Sequence, residues 1–256
     1  MKKILLSVSI VFMAAVVAVC SPVRSMLGAD GGEIADYEMP TAVDYIQDGL
    51  VLHFDAIENV GYGAHLSIAS GWFDHVSGTT YEFSNGEMVF SDTALIKTDS
   101  ANTTLQTGSQ IGDICRSDLK TYEIGYGIYP DDISSWPSVT KVFAFDGSVY
   151  QSIQFREPND HVVSYFDGQY IFDQRNSQIG SITFIRDGDF CYSFFNSVRQ
   201  MKRSVSNPIY PPLGNIRLDG CPDGRIEIKF IRVYSRALTP EEIAYNHFID
   251  EERFSE

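Results

Sequence analysis

The sequence predicts an all-β fold, a two-sheet antiparallel sandwich or jelly roll closed by one short helix. Three observations predict it. Tyr and Phe are abundant, 14 and 17 residues, and no long apolar helical stretch follows residue 25. Asn85-Gly86, Asp146-Gly147, Asp167-Gly168, Asp187-Gly188 and Asp223-Gly224 punctuate runs rich in Val, Ile, Phe and Tyr. Such pairs tolerate the positive φ that tight hairpin turns demand. Between them the chain alternates with period two, the mark of strands.

The elements follow in chain order. "MKK" precedes "ILLSVSIVFMAAVVAV", an uncharged run that ends at Cys20. A basic start followed by an apolar stretch is the pattern of a secretory signal. A spanning helix needs about 20 apolar residues, so residues 1–23 read as a signal peptide or membrane anchor. Three fates stay open: cleavage after Ala18, lipidation at Cys20, or retention as an anchor. Each places the rest of the chain outside the cytoplasm, secreted or held at the cell membrane by this segment alone. Residues 24–43 lack periodicity, carry Gly and acids, and read as a linker. Residues 44–256 show no further break in composition and read as one domain.

Within that domain "KVFAFDGSVYQSIQF", "VVSYFDGQYIF" and "SITFIRDGDFCYSFF" each predict a hairpin. In "TYEIGYGIYP", Tyr122, Ile124, Tyr126 and Ile128 share one face, and Glu123, Gly125 and Gly127 share the other. This predicts a half-buried strand. No repeat of fixed length appears, which argues against a propeller.

The final helix is marked in detail. Thr239 suits the N-cap and Pro240 the first helical position. Glu242 completes a capping box with Thr239, and Leu238 with Ile243 makes a hydrophobic staple. Helical spacing puts Ala244, Tyr245, Phe248 and Ile249 on one stripe, with Glu242, Asn246 and Asp250 facing away. The polar face is acidic, so the helix reads as a clip on the core rather than a membrane-surface arm.

Charge and cysteine usage exclude several classes. The formal net charge is −15. Such a surface repels phosphate backbones, so nucleic acid is excluded as a partner. "VRQMKRS", with Arg199, Lys202 and Arg203, is the one basic cluster and reads as a solvated loop. Of the four cysteines, Cys115, Cys191 and Cys221 allow one disulfide in three pairings. No CxxC pair supports a zinc site.

"RVYSRALTPEEIAYNHFIDEERF" resembles the closing segment of laminin-G-like (LamG) jelly-roll domains, in the concanavalin A-like lectin/glucanase group. The matching positions are Arg232, Tyr234, Arg236, Ala237, Leu238, Thr239, Glu242, Ile243, Asn246, Asp250, Arg253 and Phe254. "DGLVLHFDAIENVGYGAHLSIASGWFDHVSG" is similar to the opening strand and turn of bacterial exported members, through Asp48, Gly49, Leu50, Asp55, Asn59, Gly61, Gly63, His65, Trp72, Asp74 and Gly78. Phe73 stands where a polar residue is expected. The two segments bracket the domain. The resemblance implies a jelly roll that binds a glycan or a cell-surface protein, with Ca²⁺ as the cofactor some relatives hold. One fold of this kind hosts lectins, adhesion modules and hydrolases alike.

Retaining glycoside hydrolysis needs two carboxyl groups about 5 Å apart, supplied in such folds by an E-x-D-x-x-E run along one strand. "RIEIKF" offers only Glu227 and "TYEIGYG" only Glu123. Asp187 and Asp189 straddle a turn, and Glu33, Asp36 and Glu38 fall in the linker. No G-x-S-x-G elbow occurs. The expectation is therefore not an enzyme. His53, His65 and His75 lack zinc-motif spacing and read as hydrogen-bonded structural residues, with His53 and Asp55 on the face opposite Leu50, Leu52 and Phe54. Calcium needs 6 to 8 converging oxygens. Asp131, Asp132, Asp187, Asp189, Asp219 and Asp223 offer oxygens without an EF-hand pattern. For glycan binding, Trp136 beside Asp131 and Asp132 is the candidate site, a ring next to polar loop groups. Tyr150, Tyr165 and Tyr170 flank hairpin turns, and Trp72 belongs to the core.

Overall fold

A computed structural model describes residues 39–98, 103–108, 117–130, 139–145, 152–156, 161–166, 169–175, 179–205, 215–218 and 224–254. The compact unit runs from Thr41 to Glu256. Cys20, Cys115, Cys221, Asp131, Asp132, Trp136, Tyr150, Asp219 and Asp223 lie outside the described residues, as do the signal segment and most of the linker.

The first strands are β1 (Leu50–Asp55), β2 (Ile68–Ala69), β3 (Gly71–Asp74), β4 (Thr79–Glu82), β5 (Met88–Phe90), β6 (Leu95–Lys97) and β7 (Thr103–Leu105). The middle of the chain gives β8 (Leu119–Pro130), β9 (Val139–Phe145), β10 (Ser152–Arg156), β11 (His161–Phe166) and β12 (Gln169–Arg175). The rest gives β13 (Ile179–Asp187), β14 (Phe190–Phe195), β15 (Val198–Ser204), β16 (Ile216–Leu218), β17 (Gly224–Tyr234) and helix α1 (Pro240–Phe254).

These strands form two antiparallel sheets. The larger runs β15-β14-β13-β8-β17-β1-β3-β4, with β6 also on β17 and β5 linking β6 to β2. The smaller runs β12-β11-β10-β9-β16-β7. One apolar core joins them. Tyr122, Ile124, Tyr126, Ile128, Ile226, Ile228, Ile231 and Val233 come from the centre of the larger sheet, and Ile153, Val162, Phe166, Ile171 and Ile216 from the smaller. Phe166 stacks on Phe184 with ring centroids 5.5 Å apart and meets the Tyr122 ring edge-on at 5.3 Å.

The three predicted hairpins form as β9–β10, β11–β12 and β13–β14. Asn85-Gly86 behaves otherwise. Gly86 takes a positive φ of 85°, but the chain it turns joins β4 to β5, which pair with other strands. A further hairpin joins β14 to β15 through Asn196 and Ser197, both at positive φ (47° and 61°). Neither residue is Gly, so the usual turn pair is missing from the sequence.

Two expectations about faces are corrected. The strand predicted as half-buried is buried on both sides from Thr121 to Ile128. Its Tyr and Ile side chains face the other sheet, while Glu123 and the glycines lie under a second layer. In β1 an irregularity between Leu50 and Leu52 shifts the alternation. Leu50 therefore joins Ile185, Phe194, Tyr234, Leu238 and Ile243 in a small cluster on the outer face, apart from Leu52 and Phe54 in the main core.

That second layer is α1, lying on the outer face of the larger sheet. Its cap forms as predicted. The Thr239 N–H donates to Glu242 Oε2 at 2.9 Å, and the Glu242 N–H donates to Thr239 Oγ1 at 3.2 Å. Leu238 and Ile243 are both buried. The buried stripe, however, is not the predicted one. Ala244 and Phe248 are exposed, whereas Asn246 and Asp250 are buried with Ile243, Ile249, Arg253 and Phe254. Polar partners on the sheet make the hydrophilic side of the helix the inner side.

Opening and closing segments interlock at the helix start. Arg236 donates from its terminal nitrogens to both Glu242 carboxylate oxygens at 2.7 and 2.8 Å, and from Nε to the Asp48 carbonyl at 2.9 Å. Its methylene stem covers Gly49, whose φ is +77°. These bonds from Arg236 hold the Glu242 carboxyl below its ordinary range. Replacing Thr239 by Ala is expected to cost about 1 kcal/mol in unfolding free energy, with Ser nearly neutral. Chemical denaturation of the two variants checks this.

Candidate functional site

The outer face of the larger sheet holds the densest polar chemistry among the described residues. Arg232 of β17 projects into it between two rings, with Cζ 4.0 Å from the Tyr45 centroid and 3.9 Å from that of Phe230. Its Nε donates to Glu123 Oε2 at 2.9 Å. Its two terminal nitrogens donate to the two Asp250 oxygens at 2.8 and 2.7 Å. Asn246 completes the group, donating to Glu123 Oε2 at 2.8 Å and to the Tyr234 hydroxyl at 2.9 Å. Its carbonyl accepts the Ile46 N–H at 3.1 Å.

A second buried guanidinium lies one turn along the helix. Arg253 donates to Asp55 Oδ2 at 2.6 Å and to Glu58 Oε1 at 2.9 Å. Glu58 in turn accepts the N–H groups of Ala42 and Gly63 at 3.1 and 3.0 Å. Burial pushes the Asp55 and Glu123 carboxyls up, against the pull of Arg253 and Arg232. Burial also opposes the charge on Arg232, but Asp250 and Glu123 outweigh it and keep the guanidinium firmly protonated. These carboxylates are held in hydrogen-bonded ion pairs.

The histidines differ from expectation in one case. His65 Nδ1 contacts the carbonyls of Ala56 and Ile57 at 3.2 and 3.1 Å, and His75 Nε2 contacts the Glu58 carbonyl at 3.0 Å. His53 has no hydrogen-bond partner at either ring nitrogen. It packs edge-to-face with Tyr45 and at a tilt against His75, with centroids 5.2 and 5.3 Å away, and lies 3.8 Å from Asp55. Burial, with Arg232 next, drives its pKa well below 6.5, so the folded ring is neutral.

Two clefts open beside this layer. The first, about 440 Å³, runs along the C-terminal half of α1 over Gly125 and Gly180. Phe230 and Phe254 give it apolar walls, and Ser181, Asn196, Lys229, His247, Asp250 and Glu251 its polar groups. The glycines make room for it. A Cβ on Gly125 would strike the Phe230 ring, and one on Gly180 (φ +155°) would strike Asn196 and Phe195. Asn196 Oδ1 accepts the Ser181 N–H at 2.8 Å, and Lys229 Nζ donates to the Phe254 carbonyl at 3.2 Å. Asp250 is tied to Arg232, and Glu251 lies 3.5 Å from His247 on the rim. The second cleft, about 380 Å³, lies at the helix start between Ile185, Asp187, Tyr192, Phe194, Arg199 and the Ala237–Pro240 corner.

Few sequence-predicted site residues come together here. Trp136, Asp131 and Asp132 fall outside the described residues. Asp187 lines the second cleft, while Glu227 is bound by Arg225 at 3.0 Å away from both. Trp72 is fully buried, its Nε1–H donating to the Asp55 carbonyl at 2.8 Å. Among the described residues no three His, Cys, Asp or Glu side chains converge as metal ligands. The cleft residues Gly180, Asn196, Lys229 and His247 carried no sequence motif. The one available signal was the pair Gly125 and Gly127, a strand face without side chains.

Comparison with protein-family models and with curated protein sequences finds no match. Solved structures do match in fold. The receptor-binding domain of botulinum neurotoxin type G aligns with a TM-score of 0.56 at 13% identity, over 79% of this chain and 52% of that one. The Trypanosoma rangeli sialidase aligns with a TM-score of 0.55 at 11% identity, over 96% of this chain and 39% of that one. The chain thus spans about half of the toxin domain and about two fifths of the sialidase. At these identities the likeness is one of β-rich fold.

Two outcomes test the polar layer. Arg232→Ala is expected to destabilise the domain by about 3–5 kcal/mol, because it strands two buried carboxylates. Urea unfolding measures it. The neutral His53 also sets a sign. The unfolded chain takes up the proton first, so stability is lost as pH falls below about 6.5, at about 1.4 kcal/mol per pH unit. Asp55 and Glu123, raised in the fold, act in the opposite sense at lower pH. Burial lowers His75 as well, in the same sense, so His53→Phe removes one of two contributions: its stability should vary less than the parent's between about pH 7.5 and 5.5.

Proposed function

We propose that the chain is an exported, non-catalytic LamG-like jelly-roll module that recognises a glycan or a protein at the cell envelope. The buried carboxylates around α1 carry this reading. Glu123 and Asp250 share Arg232, and Asp55 and Glu58 share Arg253. Hydrolysis needs an acid and a nucleophile or base free to meet the glycosidic bond. In the first cleft Asp250 is committed to Arg232, which leaves Glu251 on the rim. What remains is a groove of the Phe230 and Phe254 rings with the Ser181, Asn196, Lys229 and His247 side chains, a mix of apolar walls and a few polar groups that suits ligand binding.

Other observations support it. The basic and apolar residues 1–23 fit export, with release, lipidation at Cys20 or anchoring as the end state. The two interlocked end segments fit the LamG-like resemblance, since Asp48, Gly49, Arg236 and Glu242 meet in space. Structures of like fold include a toxin receptor-binding domain as well as sialidases. No metal enters the reading.

A glycan array probed with the purified chain tests it. Saturable binding to a glycan class, without release of reducing ends from the bound glycan, is the expected result. Absence of glycan binding at high protein concentration would leave a protein partner or a purely structural module. Hydrolysis that disappears in Asp250→Asn would overturn the non-catalytic reading.

A further inference from the structure

The basic cluster of the sequence lies on β15, at the edge of the larger sheet, beside the second cleft. Pairing with β14 sets Tyr192 opposite Lys202 and Phe194 opposite Arg199. Lys202 Nζ sits 4.0 Å from the Phe190 centroid and 5.3 Å from that of Tyr192. Arg199 is exposed and lines the cleft, with Phe194 and Ile185 buried and Tyr192 half-buried there.

Charge makes this place unusual. The chain carries 34 acids against 19 bases, and Arg225, Arg232, Arg236 and Arg253 each pair with a carboxylate. Among the described residues, Arg199 and Lys202 have no carboxylate partner. Asp187 is the one acid among the residues that line the cleft. Cations on an edge strand also discourage pairing with another chain. That explains charge along β15, but it requires neither rings beside the cations nor a cleft under them.

The geometry points to this cleft as a subsite for a negatively charged sugar, a uronic acid or sulfated residue. The assignment rests on the binding-module reading above. A guanidinium fork matches a carboxylate or sulfate in a plane. The aromatic wall suits the apolar face of a sugar ring, and the volume lies within the range of small-ligand pockets. An acidic peptide would meet the charge but leave the ring wall unused.

Calorimetry on the full-length chain, with oligogalacturonate and a neutral glucan of equal length, tests the assignment. Oligogalacturonate should bind saturably, and Arg199→Ala with Lys202→Ala should weaken it about tenfold or more. Arg199→Lys should weaken it too, although the charge is kept. Both side chains are exposed, so an unchanged melting temperature verifies the fold. Equal binding of the neutral glucan, untouched by the double substitution, overturns the assignment and leaves the binding module standing. Polyglutamate binding as tightly as the sugar acid overturns the choice of a sugar. Failure of both glycans overturns the assignment together with the glycan form of the reading it rests on.

Discussion

One guanidinium fixes the outer half of this molecule. Arg232 sits fully buried between the rings of Tyr45 and Phe230 and bonds Glu123 on the neighbouring strand and Asp250 on the helix. Taking that charge out of water is costly unless every donor is met, and here Nε and both terminal nitrogens find carboxylate oxygens. The helix cannot slide or rotate without breaking these bonds. Both clefts take their walls from where the helix lies, so their shape follows from the same contact.

The fit also explains why the inner side of the helix is polar. A helix on a sheet usually presents an apolar stripe. This one presents Asn246, Asp250 and Arg253 alongside Ile243, Ile249 and Phe254. Apolar packing is concentrated at the helix start, where Ile243 joins Leu50, Ile185, Phe194, Tyr234 and Leu238. The first turn is thus seated by burial, and the rest combines buried Ile249 and Phe254 with hydrogen bonds of fixed direction.

Much of the architecture was legible in the sequence, and the reasons are local. Turn pairs and period-two runs gave three hairpins, and the capping box gave the helix start to the residue. These signals depend on neighbours along the chain. Periodicity gives the wrong helix face because it sorts residues by hydrophobicity, and Asp250 and Asn246 turn inward only because Arg232 and Glu123 wait on the sheet. The Asn196-Ser197 turn was missed because neither residue is Gly, and the shift of Leu50 because a strand irregularity leaves no mark in composition. The candidate site was hardly legible at all. Its walls come from β8, β13, β17 and α1, brought together by pairing across more than a hundred residues of chain.

The helix ties have a consequence in time. Arg253 bonds Asp55 across 198 residues of sequence, and Arg232 bonds Glu123 across 109. Contacts this distant must each overcome the entropy of closing a long loop, which makes folding slow. Asp55 and Glu58, near the start of the domain, have their cation only when Arg253 of the helix is in place, and Glu123 has its own only when β17 is. The ties of Arg253 therefore depend on the two ends of the domain being present together.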